Sequence, residues 1–320
     1  MIQKEERRYH MQTTKTNWRR LRREILRHWQ LYLLLLLPIT YLIIFKYVPM
    51  YGAQIAFRNY RIRNGILGSA WVGFANFRKF FSSAQFVRLI ANTLRLSIYS
   101  LIAGFPLPII LALALNTMTN ARAKRLVQNL TYLPYFISTV VVVSILLQVF
   151  NTHNGIYGVV YKTVSGKVAP DIMAKPEGFV HLYVWSGVWK DIGWGSIIYL
   201  AALSSMDPAL HEAAVIDGAT RFQRVKHIDI PAIIPTIVIT LILRCGSVMS
   251  IGFEKAYLMQ NNLNLRMSEV ISTYVYKVGL TATGNYSYAT AIDMFNAVIN
   301  LAVLITVNFI SRKVSDNSLW

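Results

Sequence analysis

The sequence predicts an all-α integral membrane protein built on six transmembrane helices. Of its 320 residues, 54% are hydrophobic and only 15% are charged, against about 25% charged in an ordinary soluble domain. Six stretches reach roughly 20 mostly apolar residues, the length a helix needs to cross the hydrocarbon layer, where no water satisfies the backbone. The net charge of +19 does not gather into a basic module of the kind that binds nucleic acid. The positives lie mainly between the apolar runs, where anionic headgroups can meet them.

Residues 1–30 form a basic tail with nine Lys or Arg: Lys4, Arg7, Arg8, Lys15, Arg19, Arg20, Arg22, Arg23 and Arg27. Positive charge beside the first span holds this end in the cytoplasm. The segment is too long and charged for an ordinary signal peptide, and no small-x-small cleavage site closes the first apolar run. That run therefore reads as a retained signal anchor. A six-helix domain is expected over 31–310, beginning with span 1 from about Leu31 to Met50 (LYLLLLLPITYLIIF). Near its far end, Lys46 can snorkel toward headgroups.

Residues 51–90 carry Arg58, Arg61, Arg63, Arg78, Lys79 and Arg88 and no acid, an awkward load for an outer loop. Placing them inside would put the more basic tail outside, so the tail stays inside. Val72 to Phe86 mixes aromatics with Arg and Lys as a helix in the headgroup plane does. Span 2, about Thr93 to Leu115, contains Pro106 and Pro108, which bend it or open a gap. Span 3 covers about Leu130 to Phe150. Span 4, Val180 to Leu203, is less oily and contains Lys190 and Asp191.

Span 5 runs from Pro231 to Phe253. Its Cys245 is the only cysteine, which excludes an intrachain disulfide framework and a cysteine metal cluster. Span 6 runs from Ala289 to Ile310, and residues 311–320 return to the cytoplasm. The connections from Asn151 to Gly178 and from Leu258 to Tyr286 are rich in Gly, Asn, Thr and Ser. They read as surface loops within reach of an external partner. No internal repeat is visible.

The polar stretch between spans 4 and 5, SSMDPALHEAAVIDGATRFQRVKHIDIPAIIP, is the most informative. Asp207 can cap a helix that begins at Pro208. Leu210, Ala213, Ala214 and Asp217 then fall on or near one side, and Gly218 permits a sharp turn. A second helical piece, about Ala219 to His227, precedes Pro231, which restarts the chain as span 5. Two short helices with a hinge could plug into a groove on a cytoplasmic partner, and an ordinary interfacial loop is the alternative. His211 and His227 read as polar surface residues.

This stretch resembles the EAA loop of the permease subunits of binding-protein-dependent ABC importers. The family pattern is E-A-A, two residues, D-G-A, then a run ending in I-x-L-P with a second proline four residues on. This chain supplies Glu212, Ala213, Ala214, Asp217, Gly218, Ala219, Ile228, Pro231 and Pro235, and departs from it at Val225 and Ile230, both apolar exchanges. VPMYGAQIAFRNYRI, WVGFANFRKFF, YLPYFIS and WKDIGWGSIIYLAAL extend the resemblance over nearly the whole chain. They are similar to the carbohydrate branch, in particular to poly- and oligosaccharide permeases of Gram-positive bacteria, whose members include carriers of pectin- and alginate-derived fragments.

The resemblance implies a MetI-like type I importer core in the cell membrane, with a division of labour. A second, similar permease would complete the pore, more readily as a heterodimer than a homodimer. An extracellular lipid-anchored binding protein would deliver the oligosaccharide. Two cytoplasmic ATPase subunits would bind ATP and Mg and grip the loops at residues 206–230. Glu212 would meet the ATPase groove, Gly218 would bend, and Ala213, Ala214 and Ala219 would permit close approach. Independently, the chain lacks G-x-x-x-x-G-K-[ST], so nucleotide must bind another chain.

Charged side chains at membrane depth usually face a cavity or a partner. Lys190 and Asp191, then Arg244, are the candidates for a polar sugar path, in which cations would favour uronate-bearing fragments. Alternatively, Lys190 or Arg244 pairs with Asp191 or Asp293 and fixes helix packing. Trp185, Trp189 and Trp194, with Tyr199, offer faces for pyranose rings or serve as interfacial anchors. An ion-coupled carrier would need buried carboxylates beyond Asp191 and inverted repeats. A membrane enzyme would need a motif such as H-E-x-x-H or G-x-S-x-G, and neither is present.

Overall fold

A computed structural model describes Trp18, Arg20 and residues 22–281 and 284–314. Most of the expected basic tail and of the carboxyl tail lies outside the described residues. The first long helix, α1, spans Trp29–Phe57, wider than the 31–50 expected. Its apolar stretch has no buried residue, as suits a rod that is oily on every side. A π-turn at Ile43–Tyr47 precedes Pro49, and the last turns tighten into a 3-10 helix at Tyr51–Phe57 that packs on the last helix.

The headgroup-plane helix expected over 72–86 is shorter. Helix α2 is Ala75–Phe81. The hydroxyls of Ser82 and Ser83 donate to the carbonyls of Arg78 and Phe80 and end it. Phe80 is fully buried, in a cluster with Leu89, Met249, Ile271, Tyr288 and Ile292. Phe80 therefore packs inward, whereas Phe81 remains exposed. The next helix, α3, is Gln85–Thr117, with its one interruption at Phe105, just before Pro106, where two prolines remove backbone donors.

Span 3 is not one rod. Ala121–Phe136 (α4) and Thr139–Val149 (α5) meet at 100°. Pro134 sits in a 3-10 turn at Leu133–Phe136, and Ser138 caps the restart by accepting from Val141 N–H at 3.3 Å. Helix α5 has 11 residues, about 16 Å at helical rise, well short of a hydrocarbon layer of about 30 Å.

The expected surface connections are more ordered than their composition suggests. Helix α6, Ile156–Ser165, occupies the first. Span 4 is the 29-residue helix α7, Pro176–Ser204. At Gly193 it lies so close to α4 that a Cβ would strike the Thr131 carbonyl. Helix α8, Pro208–Ile216, follows.

Span 5 differs most from expectation. Helix α9 is Arg221–Cys245, so Pro231 does not restart it and it ends before Phe253. A π-turn at Val225–Asp229, in which Ile230 N–H reaches back to the Val225 carbonyl, carries the helix through the region whose regular bonding Pro231 removes. After α9 the chain folds back through α10 (Phe253–Met259), α11 (Leu265–Ser268) and α12 (Ile271–Tyr276). Asn264, Ser268, Val270 and Thr273 are buried there, and Asn264 Nδ2 donates to the Met173 carbonyl at 3.0 Å. This second connection is therefore packed structure rather than a surface loop. Helix α13, Tyr286–Val314, closes the chain.

Among the described residues, four helices are long and apolar enough to cross a membrane, namely α1, α3, α9 and α13, and the bent pair would make a fifth. Helix α7 has the length, but Lys190 and Asp191 interrupt its apolarity. The core forms three clusters: Leu96, Val143, Phe179 and Val184 at one end, the Phe80 group described above, and Ala112, Leu115, Tyr199, Leu203 and Ile233 at the other.

Candidate functional site

A cavity of about 530 Å³ lies among α3, α5, α7 and the segment from the end of α9 into α10. Ser97, Ser100 and Gly104 line it from α3, and Thr139 and Val142 from α5. Tyr183, Gly187, Lys190 and Asp191 line it from α7, and Arg244, Ser247, Ser250, Glu254 and Lys255 from the fold-back. Small residues on facing helices leave the space open, and hydroxyls border it. Three cations and two carboxylates share its wall. A hydroxyl-rich solute can exchange its water for such groups at small cost.

Of the residues expected on a solute path, Lys190, Asp191 and Arg244 line this one cavity. The alternative packing pairs are absent: among the described residues, no carboxylate lies within ion-pair distance of Lys190 or Arg244. Asp191 feels Lys255, Lys190 and Arg244 at longer range. The tryptophans do not line the cavity. At about 100° per residue, Trp185 and Trp189 fall opposite Gly187 and Asp191. Trp185 Nε1 donates to Tyr99 Oη at 2.9 Å. Trp194 stacks on Tyr135 at 4.5 Å between ring centres, and Tyr199 is buried with its hydroxyl on Thr240 Oγ1 at 2.9 Å.

Glu254 and Lys255 were not legible as cavity residues, because the sequence placed Phe253 at the end of a straight span. The turn after Cys245 instead brings them back against α7. Lys255 Nζ donates to the Tyr183 carbonyl at 2.6 Å and stands 4.6 Å from the centre of the Tyr183 ring. The only available signal was a charged Glu-Lys pair just past an apolar run.

The segment between α7 and α9 turns sharply at Gly218. Asp207 Oδ1 accepts from Ala209 N–H at 2.9 Å and caps α8. Gly218 has φ +76°, the left-handed region that L side chains avoid. Thr220 and Gln223 form a capping box that starts α9, so the second helical piece is the first part of α9. Glu212, Ala213, Asp217 and Gly218 are exposed, and Ala214 and Ala219 half-buried. Leu210, Val215, Ile216 and Phe222 also face outward, giving an apolar surface with acidic groups beside it. His211, read as a surface residue, in fact meets buried Asp229.

Among the described residues no group of three or more His, Cys, Asp or Glu could hold a metal ion. The family described as "Binding-protein-dependent transport system inner membrane component" matches residues 104–316. Protein LplB of Bacillus subtilis is 41% identical over 290 residues, 91% of each chain. The polygalacturonan/rhamnogalacturonan transport system permease protein YteP of the same organism is 40% identical over 91% of this chain and 90% of its own. The crystal structure of a bacterial ABC transporter involved in the import of the acidic polysaccharide alginate contains a chain 39% identical. It superposes with a TM-score of 0.84 over 92% of this chain and 99% of that one. With an all-helical fold among the described residues and several helices long and apolar enough to cross a membrane, the chain belongs to the binding-protein-dependent inner membrane components, as a multi-pass ABC permease subunit of the carbohydrate branch.

Proposed function

We propose that the chain forms one half of the translocation path of an ATP-driven importer of oligosaccharides, with a preference for uronate-bearing fragments. One observation carries the preference: Lys190, Arg244 and Lys255 border a single hydroxyl-lined cavity within the helix bundle. A carboxylate leaving water there gains charge-assisted hydrogen bonds that a neutral sugar does not. The relatives named for polygalacturonan/rhamnogalacturonan and for alginate transport agree with an acidic cargo.

In this arrangement α1, α3, the bent α4–α5 pair, α7, α9 and α13 make six crossings, with both ends of the chain in the cytoplasm. The path is completed by a second, similar permease, and an extracellular binding protein delivers the sugar. Two partner subunits bind ATP and Mg and engage the segment 206–230 by its outward-facing side chains, with Glu212 in the contact and His211, turned toward Asp229, outside it. Gly218 is the bend, Asp217 sits beside it, and Ala213, Ala214 and Ala219 allow close approach.

The test is reconstitution with the partner subunits in proteoliposomes and uptake of oligogalacturonides and neutral glucan oligomers of equal length. Acidic fragments should enter faster under ATP. Equal or faster entry of neutral glucans would remove the acidic preference. No ATP-dependent uptake of either would remove the importer assignment.

A further inference from the structure

Asp229 joins three elements through a single carboxylate oxygen. Its Oδ1 lies 3.0 Å from His211 Nε2 on α8 and accepts from Asn116 Nδ2, at the inner end of α3, at 3.4 Å. Asp229 itself belongs to the π-turn near the start of α9 and is 1% exposed. A carboxylate is costly to bury unless hydrogen bonds offset its lost hydration. The contacts with His211 and Asn116 are what offset that cost here.

The surroundings are unequal in stiffness. Leu115, beside Asn116, and Ile233, one turn beyond Asp229, are both buried in the inner apolar cluster. Helix α8, by contrast, stands between the turn at Ser205–Met206 and the left-handed Gly218. Among the described residues, the His211–Asp229 bond is the one side-chain polar link from α8 to the spans. Without it, α8 could rock on its two joints and leave α3 and α9 unmoved.

We propose that Asp229 is a positioning residue of the transport cycle, receiving the displacement of α8 through His211 and passing it jointly to the inner ends of α9 and α3. This rests on α8 being the contact for an ATPase subunit, as set out above. His211 is adjacent to Glu212, so a push on that contact reaches His211 within the same helical turn.

The experiment uses the complete importer in proteoliposomes, fed a mixed pool of oligogalacturonides and neutral glucan oligomers, and reads sugar imported per ATP hydrolysed. His211→Ala, at a partly exposed position, should keep the ATPase subunits bound and continue to hydrolyse ATP while sugar per ATP falls at least fivefold. His211→Gln, whose amide can donate to the same oxygen, should recover most of the ratio, and Asp229→Asn, which keeps the acceptor, should lie close to it. A His211→Ala ratio within twofold of the unaltered importer, or no recovery with His211→Gln, overturns the proposal. Release of the ATPase subunits from His211→Ala also overturns it, since His211 would then act in docking. If the unaltered complex shows no ATP hydrolysis on addition of loaded binding protein, the importer assignment fails and this inference goes with it.

Discussion

Lys255 Nζ donates to the main-chain carbonyl of Tyr183, 72 residues earlier, at 2.6 Å. That bond pins the fold-back after α9 against α7 and holds one ammonium at the cavity wall. Replacing Lys255 with Met keeps the apolar stem and removes the charge. Uptake of oligogalacturonides should fall about tenfold, the equivalent of about 1.4 kcal/mol, with neutral glucan uptake changed far less. Equal losses for both sugars, measured side by side in proteoliposomes, would assign Lys255 to packing alone.

Glu212 is exposed on α8, next to an apolar surface made by Leu210, Val215 and Ile216. Glu212→Lys reverses a charge that no intrachain ion pair among the described residues uses. Insertion and expression should be normal, and sugar-stimulated ATP hydrolysis should be lost. Retained stimulation would show that the ATPase contact lies elsewhere.

Gly218 has open space around its missing side chain but a φ of +76°. Gly218→Ala therefore tests backbone strain without a clash, at a cost of about 1–2 kcal/mol for an L residue in that region. Stimulated hydrolysis should drop in Gly218→Ala and less in Gly218→Asn, because Asn tolerates the left-handed conformation better. Wild-type behaviour of both would mean that the turn re-forms another way.

Gly193 poses the opposite problem. Its φ is ordinary, but a Cβ would meet the Thr131 carbonyl and stand 2.8 Å from Tyr132 N–H. Both are backbone groups that cannot swing aside. Gly193→Ala should cost about 1–3 kcal/mol by overpacking, seen as a lower thermal midpoint of the purified complex in detergent. An unchanged midpoint would show that α4 and α7 can separate freely.

Much of the architecture was legible because apolarity over about 20 residues has few outcomes in lipid. The cores of α1, α3, α7, α9 and α13 all fall where oily runs lie. The segment between α7 and α9 was legible because capping is local chemistry: Asp207 before Pro208 and Gly218 at a turn act on neighbours within a few residues. The break in α3 was legible from Pro106 and Pro108, but the other breaks inside apolar runs were not. At the right angle between α4 and α5, the end of α9 at Cys245 and the unbroken passage through Pro231, the local sequence admits more than one bonding pattern, and the packed fold selects among them.

The candidate site divides in the same way. Lys190, Asp191 and Arg244 stood out because charge inside an oily run is rare, and all three border the cavity. Trp185, Trp189 and Trp194 stood out equally, yet helical phase and stacking partners place them elsewhere. Lys255 and the His211–Asp229 link stayed hidden because each depends on residues far apart in sequence, or on a turn whose angle no single residue announces. The chain alone determined where oil, charge and hinge residues lie, since those follow from composition and neighbouring bonds. Only the tertiary structure decided which charges face one another across a cavity, because that depends on how α7, α9 and the fold-back after α9 are packed.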